Sequence, residues 1–129
     1  MFNKMEKDDV ITLGKSIIRE SELEIPIQYK GETFTLKYAN LSVQAAIEAE
    51  IARRLGGYPR ASYTAEHLAS VEACVVIDYT YIPEKCPKWF RGPWTCLDEE
   101  LLGELYKGYF LFRDRFRAKL QSGGFEKGT

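Results

Sequence analysis

Asp98-Glu-Glu-Leu-Leu-Gly-Glu-Leu-Tyr-Lys-Gly-Tyr-Phe-Leu-Phe-Arg-Asp-Arg-Phe-Arg-Ala-Lys-Leu120 is the stretch on which the fold turns. Leu102, Leu105, Tyr109, Phe112, Phe116 and Leu120 recur at steps of three or four, so at about 100° per residue they share one side of a helix. The charges agree with that reading. Asp98, Glu99, Glu100 and Glu104 crowd the first turns, and Arg113, Arg115, Arg117 and Lys119 crowd the last. Each group opposes the partial charge of the helix end it occupies. Gly123 and Gly124 then stop the helix. An amphipathic helix this long needs an apolar partner, and the core is expected to form around Tyr109 and Phe112.

The rest of the chain supplies that partner. Upstream lies Pro83 to Cys96, 14 residues with three prolines and both tryptophans of the chain. Such a stretch is long for a structureless loop. Trp89, Phe90 and Trp94 in it must cap the core or meet a partner. Before it, Thr64 caps a helix from Ala65 to about Tyr79, with Leu68, Val71, Val75 and Tyr79 on one stripe and Ala69, Ala73, Val76 and Ile77 beside them. A helix apolar on several sides is central. Ile82 precedes Pro83, which ends the helix. Gly56 to Ser62 is a loop. Ser42 is the expected cap of a further helix running to about Leu55 and closed by Gly56-Gly57. Val43, Ile47, Ile51 and Leu55 step along one side of it. Ala45, Ala49 and Ala52 permit close approach on the other, and Glu50 and Arg54 form an i,i+4 pair.

Leu23 to Tyr38 alternates as a hairpin does. Leu23, Ile25, Ile27 and Tyr29 face one way, as do Phe34, Leu36 and Tyr38 across the Lys30-Gly31-Glu32 turn. Pro26 makes the first strand an edge. Met1 to Glu22 carries only a weak helical stripe (Val10, Leu13, Ile17, Ile18), interrupted by Gly14. It reads as a short helix or as an arm that orders on a partner. The expected fold is therefore α+β and mostly helical: an N-terminal β-hairpin packed with about three helices, the last one long. It forms a single domain over 1–129, with 1–22 as arm or short helix, 23–122 as folded core and 123–129 as tail.

Composition narrows the function. The 129 residues carry 18 basic and 19 acidic side chains, a net charge of -1, which offers nothing to nucleic acid or an anionic membrane. The longest apolar run, Ala73 to Ile77, is far too short to span a bilayer. Met1 to Asp9 is charged and lacks the apolar centre of a signal peptide. Three cysteines (Cys74, Cys86, Cys96) without a C-x-x-C pair suit reduced thiols in a cytoplasm.

Catalytic readings fail on geometry. His67, Cys74 and Asp78 share a side of the second helix, yet His67 and Cys74 stand roughly 10 Å apart along its axis. A nucleophile and its base must lie within about 3 Å. One histidine and the Cys86–Cys96 gap give no zinc pattern, and no Gly-rich phosphate cradle occurs. Glu99, Glu100 and Glu104 serve as dipole partners, and helix polarity accounts for the bases of Phe112 to Lys119. The expectation is no enzyme, no cofactor and no metal. Asp78, near a helix C-terminus, calls for a basic partner, with Arg53, Arg54 and Arg113 as candidates.

Tyr106 and Phe110 carry the functional lead. They sit four apart, rotated about 100° or more from the core stripe, with Leu111 on yet another side. They meet the tryptophan loop internally or form a partner surface. The expected protein-binding residues are Trp89, Phe90, Trp94, Tyr106 and Phe110.

The layout as a whole resembles the tail assembly chaperones of long-tailed bacteriophages, over roughly Leu23 to Leu120. The carrying residues are Thr33-Phe-Thr-Leu-Lys-Tyr-Ala-Asn-Leu-Ser42, then Val43 to the glycine pair at Gly57. The small-residue helix, Pro83 and Pro87-Lys-Trp-Phe90 follow, and then the acidic start Asp98 to Tyr106 and the aromatic–arginine end Phe110 to Phe116. That resemblance implies a chaperone in the host cell cytoplasm. It would bind and solubilise the tape-measure protein, help recruit tail-tube subunits during virion morphogenesis, and self-associate. The chain would be the short form of a frameshifted pair. The alternative is a structural tail or head–tail connector subunit retained in the particle, for which one hairpin is little β-structure.

Overall fold

The computed structural model describes residues 10–13, 16–122 and 126–127. In chain order the elements are β1 (Val10–Leu13), β2 (Ser16–Arg19), β3 (Glu24–Tyr29), β4 (Glu32–Lys37), α1 (Leu41–Arg54), α2 (Ala65–Thr80), α3 (Glu99–Ser122) and β5 (Glu126–Lys127). The architecture is α+β: a hairpin packed with three helices, the last one long.

The β3–β4 hairpin pairs Glu24 with Lys37 through to Tyr29 with Glu32. Only Lys30 and Gly31 lie between, both left-handed, at φ 48° and 83°. That is the two-residue turn whose twist matches a hairpin, and Gly31 adopts it without a Cβ penalty. Alternation buries Ile25, Phe34 and Leu36. Thr35 is buried as well, because the chain leaving α2 covers the outer edge of β4. Tyr81 bridges Leu36, and Ile82 N–H donates to Thr35 O at 2.9 Å. The outer edge of β3 is left to Pro26, which has no N–H to offer.

The hairpin lies against α3, and Gly108 allows the approach. A Cβ at Gly108 would stand 2.6 and 2.9 Å from Ile27 Cδ1 and Cγ1. Tyr109 fastens the same contact by accepting a 3.1 Å hydrogen bond from Ala39 N–H through its hydroxyl. Phe34, Leu36, Val75, Ile77, Leu101 and Leu105 form the fully buried centre. The central place expected for α2 holds in its middle turns, where Val71, Ala73, Val75, Val76 and Ile77 are all buried, but Tyr79 of the expected stripe is exposed and Leu68 only partly buried.

Some boundaries shift. The cap of α1 is Asn40, whose side chain accepts from Val43 N–H at 2.9 Å, so Ser42 falls inside the helix. Thr64 caps α2 as expected, accepting from His67 N–H at 3.1 Å. Asp98 caps α3 through Leu101 N–H at 3.1 Å, and its carboxylate also accepts from the Tyr29 hydroxyl. Burial first and Asp98 second push that hydroxyl up to about 12. Gly56 and Gly57 both turn left-handed after α1, as a helix stop requires. Gly123 and Gly124 lie outside the described residues.

Other expectations need correction. Val10–Leu13 and Ser16–Arg19 are antiparallel strands rather than a helix, and Glu126–Lys127 pairs with β2 to make a three-stranded sheet in the order β1-β2-β5. The α3 stripe is buried only as far as Tyr109. Phe112 and Phe116 are half-buried under Tyr38, and Leu120 is exposed, because the helix outruns the hairpin that covers it. Ala45, Ala49 and Ala52 are all exposed, so no element among the described residues makes the close approach they would permit. Asp78 is exposed and makes no ion pair among the described residues. Arg53 and Arg54 both bind Glu50, one turn away on their own helix, and Arg113 binds Asp114. Local partners win because they cost less side-chain ordering than a reach across the fold.

Candidate functional site

Helix α1 packs on α2, and α2 packs on α3, but α1 and α3 make at most marginal contact with each other. A cleft of about 330 Å³ opens between those two helices. Its apolar base is Ile47 and Ile51 from α1 with Val76 from α2. Its other wall is Tyr106 and Phe110 from α3, with Tyr109 and Tyr38 behind them. Polar residues rim it: Gln44 and Glu48 on α1, Glu72 on α2, and Arg113 and Arg117 on α3.

The spacing on α3 explains this wall. Leu105 and Tyr109 face the core, while Tyr106 and Phe110 fall on the adjacent side, with Arg113 and Arg117 continuing the same line at i+7 and i+11 from Tyr106. The Tyr106 and Phe110 rings meet edge to face at 4.8 Å between centroids, and Phe110 meets Tyr109 at 5.1 Å. The Arg113 guanidinium lies 4.5 Å from the Phe110 ring centre, a cation–π contact that fixes the ring from the solvent side. A second, shallower hollow on the outer side of α3 shares Tyr106, Phe110 and Arg113 and adds Leu111. Tyr106 and Phe110 thus form a ridge between two hollows.

The electrostatics have two ends. Arg60, from the loop after α1, bridges Glu48 at 3.5 Å and Glu72. Burial raises the pKa of the Tyr106 hydroxyl, with the charge of Glu72 adding to it. At the other end stand Arg113 and Arg117. Among the described residues no histidine, cysteine, serine or threonine lines the cleft. What it can do is bind: an apolar interior with a few placed charges is the ordinary make-up of a recognition pocket.

The residues expected to form one binding surface are found in separate settings. Tyr106 and Phe110 line the cleft. Phe90 is a core residue, 5% exposed, set edge-on against Phe34 and Tyr81; its assignment to a surface is corrected. Trp89 lies over the hairpin, its ring edge-on to Phe34 and its Nε1–H donating to the Glu32 carboxylate at 3.1 Å. Trp94 lies under the Arg54 guanidinium, 3.7 Å away, at the end of α1. Both tryptophans remain about half exposed. Of the rejected catalytic trio, His67 stacks on Tyr63 at 5.1 Å, and all three cysteines are free.

Sequence reasoning missed the α1 side of the cleft. Gln44, Ile47, Glu48 and Ile51 recur at steps of three, one and three, a mixed face that reads as the border of a core stripe. Only the weak contact between α1 and α3 turns that border into a wall. Comparison of the chain with protein-family models, curated proteins and solved structures finds no match.

Proposed function

We propose that this protein is a non-enzymatic binding protein that takes apolar side chains of another protein into the cleft between α1 and α3. The observation that carries this reading is the Tyr106–Phe110 ridge. Two aromatic side chains stand beside an apolar-based cleft in a small domain whose core is already filled by Leu101, Leu105 and Tyr109. Aromatic anchors in such positions dominate protein interfaces. The role proposed is that of a tail assembly chaperone of long-tailed bacteriophages, as the sequence resemblance implies. Its client would be the tape-measure protein, with tail-tube subunits recruited to the coated client in the host cytoplasm. Many modest contacts repeated along a long client hold better than their single affinities suggest.

The test is co-expression with a tape-measure protein as client, with the client measured in the soluble fraction. Wild type should hold the client in solution. Phe110→Ser should release it to the pellet while keeping most of its own thermal stability. A client equally soluble without this protein, or with the variant, would sink the proposal.

A second reading, a tail or connector subunit retained in the particle, draws on the β1-β2-β5 sheet. Two of its three strands are edges, and edges pair with other chains. Electron microscopy of the pure protein separates the two readings, since stable rings or tubes favour the subunit.

A further inference from the structure

Every wall of the cleft is helical or a side chain, and this restricts what can lie in it. An extended segment gains affinity by adding its backbone to an open strand edge. Here α1, α2 and α3 satisfy their own backbone groups, and Tyr38 contributes a ring. An extended occupant would enter with its N–H and C=O groups unpaired, which is costly away from water. A helical occupant brings its backbone already satisfied. The spacing favours it as well. Tyr106, Phe110, Arg113 and Arg117 step by four, three and four, and Gln44, Ile47, Glu48 and Ile51 keep to one side of α1. Helices with such seams pack at shallow angles, 8–10 Å apart.

Charge then gives the occupant a pattern. Among the described residues Glu48 and Glu72 pair with one cation, Arg60, which leaves a net negative end. Arg113 is held by Asp114, while Arg117 makes no ion pair among the described residues, which leaves a net positive end. Tyr106, beside the acidic end, and Arg117 are eleven residues apart on α3, roughly 16 Å at the α-helical rise. Eleven residues are also about three turns, so two positions that far apart on an incoming helix point the same way.

Resting on the binding reading above, we infer that the cleft takes an amphipathic helix of the partner, laid along α3. The helix carries a basic side chain at the Glu48–Glu72 end and an acidic one at the Arg117 end, about three turns apart, with apolar anchors between them on Ile47, Ile51, Tyr106 and Phe110.

The probes are fluorescein-labelled peptides of about five turns with a leucine stripe, read by anisotropy at low salt. One carries Glu and Lys three turns apart beside the stripe. A second carries Lys at both places, and a third is the first with proline at its centre. The Glu/Lys peptide should bind about fivefold tighter than the Lys/Lys peptide, as rim ion pairs allow. Arg117→Glu, an exposed change checked by its melting curve, should reverse that order. Proline should abolish binding, since it breaks a helix. Equal binding of the proline peptide overturns the helical occupant. Equal affinities with wild type, or an order that Arg117→Glu leaves unchanged, overturn the charge pattern. If no peptide binds while co-expressed client stays soluble in a Phe110-dependent way, the helix inference fails and the chaperone reading stands. If the peptides bind with the expected order while the client precipitates, the chaperone reading fails and this inference stands.

Discussion

Two glycines on α3 give a controlled test of how closely the hairpin approaches the helix. Gly103 and Gly108 both sit inside Glu99–Ser122, and replacing a helix-interior glycine by alanine is worth about 1 kcal/mol from backbone entropy alone. At Gly103 a Cβ meets nothing within 4 Å, so Gly103→Ala should stabilise by up to about 1 kcal/mol. At Gly108 the same atom would stand 2.6 Å from Ile27 Cδ1 and 2.9 Å from Cγ1. Isoleucine is stiff at χ1, and Ile27 sits in a paired strand, so the overlap must move the hairpin or force a poor rotamer. Overpacking of this kind costs about 1–3 kcal/mol. The net for Gly108→Ala is therefore a loss of about 0–2 kcal/mol, and the two alanine variants should differ by about 1–3 kcal/mol. Urea unfolding followed by circular dichroism measures both. Ile27→Ala removes the offending atoms, so in that background Gly108→Ala should become stabilising, a coupling that a double-mutant cycle isolates. If Gly103→Ala and Gly108→Ala stabilise alike, or if Ile27→Ala leaves the effect of Gly108→Ala unchanged, the close packing of β3 on α3 is wrong.

Tyr109→Phe keeps the ring but strips the acceptor from the buried Ala39 N–H, and should cost about 1–3 kcal/mol in urea unfolding; Tyr109→Ala should cost about 3–5 kcal/mol as a large core truncation. Asn40→Ala should lose about 1 kcal/mol, while Ser42→Ala should be near neutral; the reverse order in thermal melts would restore Ser42 as the cap. Glu50, bound by Arg53 first and Arg54 second, has its carboxyl lowered from 4.5 to about 2. A carboxyl depressed on folding adds stability that is present above about 4.5 and lost as pH falls toward about 2, so the gap in urea midpoint between wild type and Glu50→Gln should be constant at higher pH and close across that window.

What the sequence made legible was local. The hairpin followed from alternation and one glycine, the stop of α1 from two glycines, the start of α2 from Thr64, and the polarity of α3 from its charges. Each of those signals acts within a turn or two of the residue that carries it. The misses share a different property. Val10–Leu13 and Ser16–Arg19 have apolar residues spaced ambiguously between a strand and a helix, and β2 completes its sheet with Glu126–Lys127 from the far end of the chain. Asp78 was assigned an arginine by the sign of a helix end, yet each candidate arginine had a carboxylate nearer in sequence.

The site was half legible for the same reason. Tyr106 and Phe110 stood out because α3 had more aromatics than one core stripe can use, and that surplus is a property of one helix. Their partners were not visible, because Ile47 and Ile51 belong to the core stripe of α1 and lie at the base of the cleft at the same time. The tryptophans misled in the opposite direction. Trp89 and Trp94 are about half exposed, but a carboxylate engages one and a guanidinium the other, and Phe90 between them is sealed against Phe34 and Tyr81. An aromatic loop that already holds its own partners has little left to offer another chain. The Tyr106–Phe110 ridge also holds a guanidinium, Arg113, over the Phe110 ring, but it has hollows on both sides, and there an incoming side chain would find apolar surface. That difference, more than the number of aromatics, is why the binding assignment rests on α3 and not on the loop before it.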